Sequence, residues 1–148
     1  MKGYVFVNRY CKGIQAGIQG AHALLRLSGS ENREEFDKWL QKYETICILS
    51  AASSTHLAEI SVELEDMDNA VEDIAVFKEE GLNDAITAVA FIGTELLIQV
   101  QAEMKEWRDL RKIGEGPNRR IFDSDMHYKY GQTYQLAKFL EGFRSHDG

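Results

Sequence analysis

The sequence predicts an α/β fold in which a mixed four-stranded sheet is covered by helices, in the order β-α-α-β-α-β-β, with a helical C-terminal extension. Three observations predict it. Short apolar runs rich in β-branched and aromatic residues alternate with longer segments whose apolar residues recur every three or four positions, as strands and amphipathic helices do. The last two strand-like runs are joined by a turn sequence, which makes them a hairpin or a neighbouring pair. With 148 residues and 44% hydrophobic content, the chain can bury one substantial core and scarcely two.

The elements follow in order. "GYVFVN" (3–8) is apolar and β-forming, and reads as a buried strand feeding a helix. "CKGIQAGIQGAHALLRL" supplies that helix, over 12–27, and carries Gly13, Gly17 and Gly20. Glycine inside a helix costs about 1 kcal/mol against alanine, and the economical reading is close packing, with Ala16 and Ala21 helping the helix to sit low on the sheet. The loop "NRYCKG" before it opens into free backbone N–H groups, an anion site in which one glycine would let a phosphate approach.

"SGSENREEFDKWLQKY" makes a second helix of about 31–43, with Ser30 as N-cap and Phe36, Trp39, Leu40 and Tyr43 as its apolar stripe. "TICILSA" (45–51) reads as another buried strand. After a Ser54 or Thr55 cap, Leu57, Ile60, Leu64 and Met67 recur at helical spacing. "DIAVFKEE" (73–80) and "AITAVAFIG" (85–93) flank the turn "GLND" and are the two remaining strands. Residues 1–93 thus form the α/β domain.

The extension, 94–148, packs on that domain. Leu97, Val100, Met104 and Trp107 mark a helix over about 94–111, which "GEGPN" breaks, and Thr133, Leu136, Leu140 and Phe143 mark a closing helix. "RRIFDSDMHYKY" between them is ambiguous. On a strand, Asp123, Asp125 and His127 would face one way and could hold a divalent ion; three polar residues in an irregular stretch are common, and neither a metal nor another cofactor is expected.

No run approaches the roughly 20 apolar residues of a membrane span, and the N-terminus lacks a signal-peptide pattern. A soluble, cytoplasmic protein is expected. The cysteines, Cys11 and Cys47, suit a reducing compartment; Cys11, at a helix N-terminus, is placed for a depressed pKa, without an evident companion base. The net charge of −7 argues against nonspecific coating of nucleic acid. It arises from an acidic segment at 59–80, whereas 105–120 is locally basic. The ordinary role of Lys105, Arg108, Arg111, Lys112, Arg119 and Arg120 is solvation and favourable placement near a helix C-terminus. The alternative is an RNA-backbone strip, with Trp107 or Tyr128 to stack on a base.

On the first helix, Gln15, Gln19, His22 and Arg26 share one face by spacing, bordered by Ile14, Ile18 and Leu25 as a packed surface. Here the residues resemble a family. Strand-Asn8-Arg9 followed by "IQAGIQGAHA" is similar to the signature of the archaeal and eukaryotic-type peptidyl-tRNA hydrolases, the second class of that enzyme, in which a strand leads into a helix carrying Lys-x-x-x-Gln-x-x-His-Ala. The likeness continues through a Trp-bearing second helix, a buried strand, an amphipathic helix and two strands, over about residues 1–93.

The resemblance implies hydrolysis of the ester between a peptide and the 3′ end of tRNA, with phosphates and the terminal adenosine near the start of the first helix. It places the family's glutamine on Gln19, its histidine on His22, its acidic residue on Glu79 and its threonine on Thr87; the family's lysine falls on Gln15. The expected site is therefore Gln15, Gln19, Glu79 and Thr87 about the ester, with Asn8, Arg9 and Lys12 meeting the nucleotide and His22 fixing the helix. Gln15 supplies a neutral amide where a lysine would face the oxyanion, a loss that commonly costs about 10²–10³ in rate. The family's "Asp-Ala-Gly-Arg-Thr" turn is replaced by "KEEGLNDAIT". The expected partner is tRNA or a nucleotide-like ligand, with a homodimer as one arrangement. The alternatives are a catalytically silent module binding a nucleotide, an RNA end or a protein on the same scaffold, and a purely structural assembly protein.

Overall fold

The computed structural model describes residues 1–146. Strand β1 (Lys2–Asn8) lies inside the sheet, parallel to β2 (Ile46–Ala51) and antiparallel to β4 (Ala85–Gly93), which pairs in turn with β3 (Ile74–Glu79), giving the order β2-β1-β4-β3. The predicted mixed four-stranded sheet and its helical extension are present. Helices α1 (Ile14–Leu27) and α2 (Glu34–Lys42) cover one face. The other is covered by α3 (Ser54–Glu65), α4 (Glu95–Lys112) and α6 (Gln132–Glu141), with α5 (Arg119–Tyr130) outside them.

Alternation along the strands separates two cores. Val5, Val7, Ala88, Ala90 and Ile92 meet Ala16, Ala23, Leu24 and Leu27 of α1 and Trp39 of α2. Tyr4, Phe6, Val89 and Phe91 meet Leu57, Ile60 and Leu64 of α3, Val100 and Met104 of α4 and Leu136 of α6. The extension therefore completes the second core together with α3.

Several expectations change. "TICILSA" is an edge strand, half-buried along most of its length, with Ile46 47% exposed. The C-terminal segment covers part of that edge: Ser50 N–H donates to the Arg144 carbonyl and His146 N–H to the Ile48 carbonyl, each at 2.9 Å. Ser30 does not cap α2, which begins after Arg33; its hydroxyl bonds Asp73 instead. Ser53 caps α3, accepting from the His56 N–H at 3.1 Å, in place of the expected Ser54 or Thr55. The ambiguous stretch is helix α5, capped by Asn118.

The glycines divide by role. Gly20 lies over β1, where an added Cβ would stand 3.1 Å from Val5 Cγ1, so it serves the close approach expected of it. Gly13 has φ +55°, a conformation that suits glycine, and is the α1 N-cap. Gly17 faces open space, so packing within this chain does not account for it. The tightest position is Gly93: a Cβ there would stand 2.6 Å from Tyr4 Cε2 and 2.9 Å from Leu97 Cδ2. Overpacking of this kind costs about 1–3 kcal/mol, and Gly93→Ala is expected to lower the urea midpoint accordingly, with an unchanged m-value.

Candidate functional site

The β3–β4 connection builds the site. Glu80–Leu82 form one 3-10 turn, and Asn83 and Asp84 take left-handed conformations at φ 55° and 57°, returning the chain so that the Asp84 N–H donates to the Glu79 carbonyl at 3.1 Å. The β3–β4 register then shifts: Phe77 pairs with Ala88 but Lys78 with Ile86, leaving Thr87 without a ladder partner. Strict alternation from Val89 and Phe91 would send Thr87 to the α3 face. The bulge turns it toward α1 instead, a common use of bulges beside functional groups.

There Thr87, 2% exposed, meets Gln19 of α1, 5% exposed. The Thr87 hydroxyl donates to Gln19 Oε1, and Gln19 Nε2 donates to Glu79 Oε2 at 3.2 Å. Chemistry orders these bonds. A carboxylate is an acceptor only, so the amide nitrogen must face Glu79; the amide oxygen must then receive the threonine proton. No buried side-chain polar atom among the described residues lacks a partner. Glu79 is half-buried and its Oε1 lies toward Gly81, whereas Asp84 is exposed, so Glu79 is the carboxylate of this cluster.

The remaining predicted residues surround this cluster or stand apart from it. Gln15 is exposed in the first turn of α1, with no side-chain bond to any described residue. Its helix does not present one polar face: Gln19 is inside, while Ile14 is 78% and Leu25 66% exposed, the reverse of the expected packed border. The small residues at 16, 20 and 23 bring the backbone so close to the sheet that Gln19 reaches β3 and β4. His22 is exposed and stacks on the Phe77 ring of β3, centroids 4.4 Å apart and 6° from parallel, with the Arg26 guanidinium 5.3 Å from the same ring. It joins α1 to the sheet through this stack.

In the loop before α1, Asn8 Oδ1 accepts from the Tyr10 N–H at 3.0 Å, and the Asn8 carbonyl accepts from the Cys11 N–H at 2.9 Å. Arg9 is exposed and donates to the Tyr10 hydroxyl at 3.2 Å; Lys12 is exposed and has no partner among the described residues. Two N–H groups of the expected anion site are already used, Gln15 donating to Lys12 O and Ala16 to Gly13 O. The depressed thiol pKa expected at Cys11 is reversed: burial, and then the charge of Glu79, push it up. Cys11 thus belongs to the surroundings of Glu79, a neighbour that its position in the sequence did not signal.

In the extension, the three residues of the metal reading do not share one face. On α5, Asp123 and His127 are one helical turn apart, 3.7 Å between Oδ2 and Nε2, but Asp125 lies on another side, because the segment is not a strand. Asp123 instead accepts from Tyr134 Oη at 2.8 Å and Lys138 Nζ at 3.0 Å, and these bonds, Lys138 first, hold its carboxyl below the usual range. No group of three or more His, Cys, Asp or Glu among the described residues is placed to hold a metal ion.

The basic segment is largely engaged within the chain. Lys105 and Lys112 meet Asp109, Arg108 meets Glu141, and Arg111 donates to Gly116 O. Trp107 is half-buried, stacks on Phe122 at 4.4 Å, donates to Pro117 O and has the Arg119 guanidinium 5.8 Å from its ring; Tyr128 is 96% exposed.

No protein-family model matches the chain, and no curated protein matches it at a significant level. Among the described residues, no helix is long and apolar enough to cross a membrane.

Proposed function

We propose that the chain is a divergent peptidyl-tRNA hydrolase-like protein that hydrolyses the ester of peptidyl- or aminoacyl-tRNA. One observation carries this reading. Gln19, Glu79 and Thr87, singled out by the resemblance and separated by up to 68 residues, lie in a single hydrogen-bonded chain beside the start of α1.

Ester hydrolysis needs a positioned water, a proton acceptor and a donor facing the developing oxyanion. Thr87 and Gln19 hold the Glu79 carboxylate by Oε2, leaving Oε1 to orient water. Glu79 takes the water's proton as the oxygen attacks the carbonyl carbon. The proton then passes to the ribose oxygen as its bond to that carbon breaks. Lys12 and Arg9, exposed on the adjoining loop, meet the phosphates of the acceptor end, and the open backbone at Gly13 permits their close approach.

The test uses an N-acetylated aminoacyl-tRNA and follows release of the acyl group. Glu79→Gln, which retains size and removes the base, is expected to lower the rate by about 10²–10⁴. Thr87→Val is expected to give a smaller loss, through Glu79 orientation, with tRNA affinity unchanged. Equal rates in both variants and the native chain would reject the assignment. A silent binding module is favoured by one observation of its own, that Gln15 brings no positive charge to the site.

A further inference from the structure

On the sheet face opposite α1, the N-terminal part of β1, the β2 edge, α4 and α6 border an open hollow of about 580 Å³. Its size falls within the range of about 300–1,000 Å³ typical of small-ligand sites. The hollow lies outside the Gln19–Glu79–Thr87 cluster, which is on the α1 face, and nothing in the proposed hydrolysis uses it.

Its lining is divided. Cys47, Leu49, Ala137 and Leu140 supply an apolar wall, and the last two are almost fully buried. Tyr4 and Gln101 line it too, the Tyr4 hydroxyl lying 3.2 Å from Gln101 Nε2 and 3.4 Å from its Oε1. Burial pushes the Tyr4 phenol up, so it stays a neutral hydroxyl, and Gln101 Nε2 keeps its second N–H for a ligand. Three ionised groups line the hollow: Lys2, Arg108 and Glu141. Arg108 and Glu141 pair with each other. Lys2 is half-buried and has no partner among the described residues. The hollow therefore carries one uncompensated positive charge on a chain of net charge −7.

We propose that this hollow binds a small amphipathic anion, its short apolar body against Leu49, Ala137 and Leu140 and its acidic head on Lys2 and the Gln101 amide. Each part of the lining selects one part of such a ligand. A cation of the same shape meets the unpaired lysine and is refused; a fully polar anion forgoes the apolar wall.

Cys47 lies in the wall and reports on occupancy. The experiment follows alkylation of Cys47 and Cys11 in the full chain by iodoacetamide, resolved by peptide mass spectrometry, with octanoate as the probe. Octanoate is expected to slow the reaction at Cys47 saturably while leaving Cys11 unchanged, and octylamine is expected not to protect. Lys2→Gln, a change at a partly exposed side chain, is expected to weaken the protection by about tenfold in octanoate concentration. Equal protection by octylamine, equal protection of both cysteines, or no effect of Lys2→Gln would overturn the proposal. If Cys47 is inert to the reagent, the NMR signals of the Gln101 side-chain amide decide: a saturable shift with octanoate supports the site, and its absence refutes it.

Discussion

Gln19→Glu is expected to destabilise the protein by about 3 kcal/mol near neutral pH and to have little effect in mild acid. Gln19 is buried between a hydroxyl that donates to it and a carboxylate that accepts from it. A glutamate there keeps the acceptor for Thr87 but loses the N–H toward Glu79, and sets two carboxylates against each other in a poorly solvated place. Burial and like charge both raise the pKa of the new group above its unfolded value of about 4.3. A raised folded pKa means that the folded state holds the proton more tightly. Below the unfolded value the protonated side chain can donate to Glu79 as the amide does, and the deficit is absent. It grows as pH rises through the folded pKa. Urea unfolding of both proteins at pH 4 and pH 7 measures the difference; equal stability at pH 7 would mean that the three groups are not bonded as described.

Gln15→Lys is expected to raise ester hydrolysis by about 10²–10³, the usual worth of one oxyanion donor. Gln15 lies one helical turn before Gln19, which holds Glu79, and it is exposed and without a side-chain bond to any described residue, so a lysine there displaces no existing bond. The stability cost should be small. A cation in the first turn of α1 opposes the helix dipole by about 0.3–1 kcal/mol, partly offset by the nearby carboxylate. The rate is measured on N-acetylated aminoacyl-tRNA, with affinity measured separately. A rise in rate at constant affinity identifies a hydrolase lacking its strongest group. No rise, with affinity retained, identifies the binding module.

Much of the fold was legible because its determinants are local. The alternation of strand and helix periods, the Gly-Leu-Asn-Asp turn and the break at Gly-Glu-Gly-Pro-Asn each act within a few residues. Sheet order does not. Nothing in "TICILSA" distinguishes a central strand from an edge, since its apolar side chains are half-covered by elements distant in sequence. The α5 segment defeated periodicity for a related reason: of its twelve residues only Met126 is buried, so packing left little pattern to read.

At the site, the residue types were legible and their arrangement was not. Helical spacing placed Gln15, Gln19, His22 and Arg26 together, yet Gln19 alone among them is buried, because the small residues around it draw α1 onto the sheet. The bulge that turns Thr87 toward α1 leaves no mark in "AITAVAFIG", where simple alternation would place that side chain on the other face. The resemblance placed the acidic residue on Glu79, but not its surroundings: the left-handed turn at Asn83 and Asp84 leaves Glu79 against Gln19 and Asp84 in solvent.

The most direct measurement of the central claim is release of the acyl group from N-acetylated aminoacyl-tRNA by the native chain, with Gln19→Ala and Glu79→Ala alongside. The proposed function predicts turnover by the native protein that falls in both variants while tRNA binding persists. No release by the native chain above the uncatalysed rate, with tRNA bound, would contradict hydrolysis and leave the Gln19–Glu79–Thr87 cluster as part of a binding site.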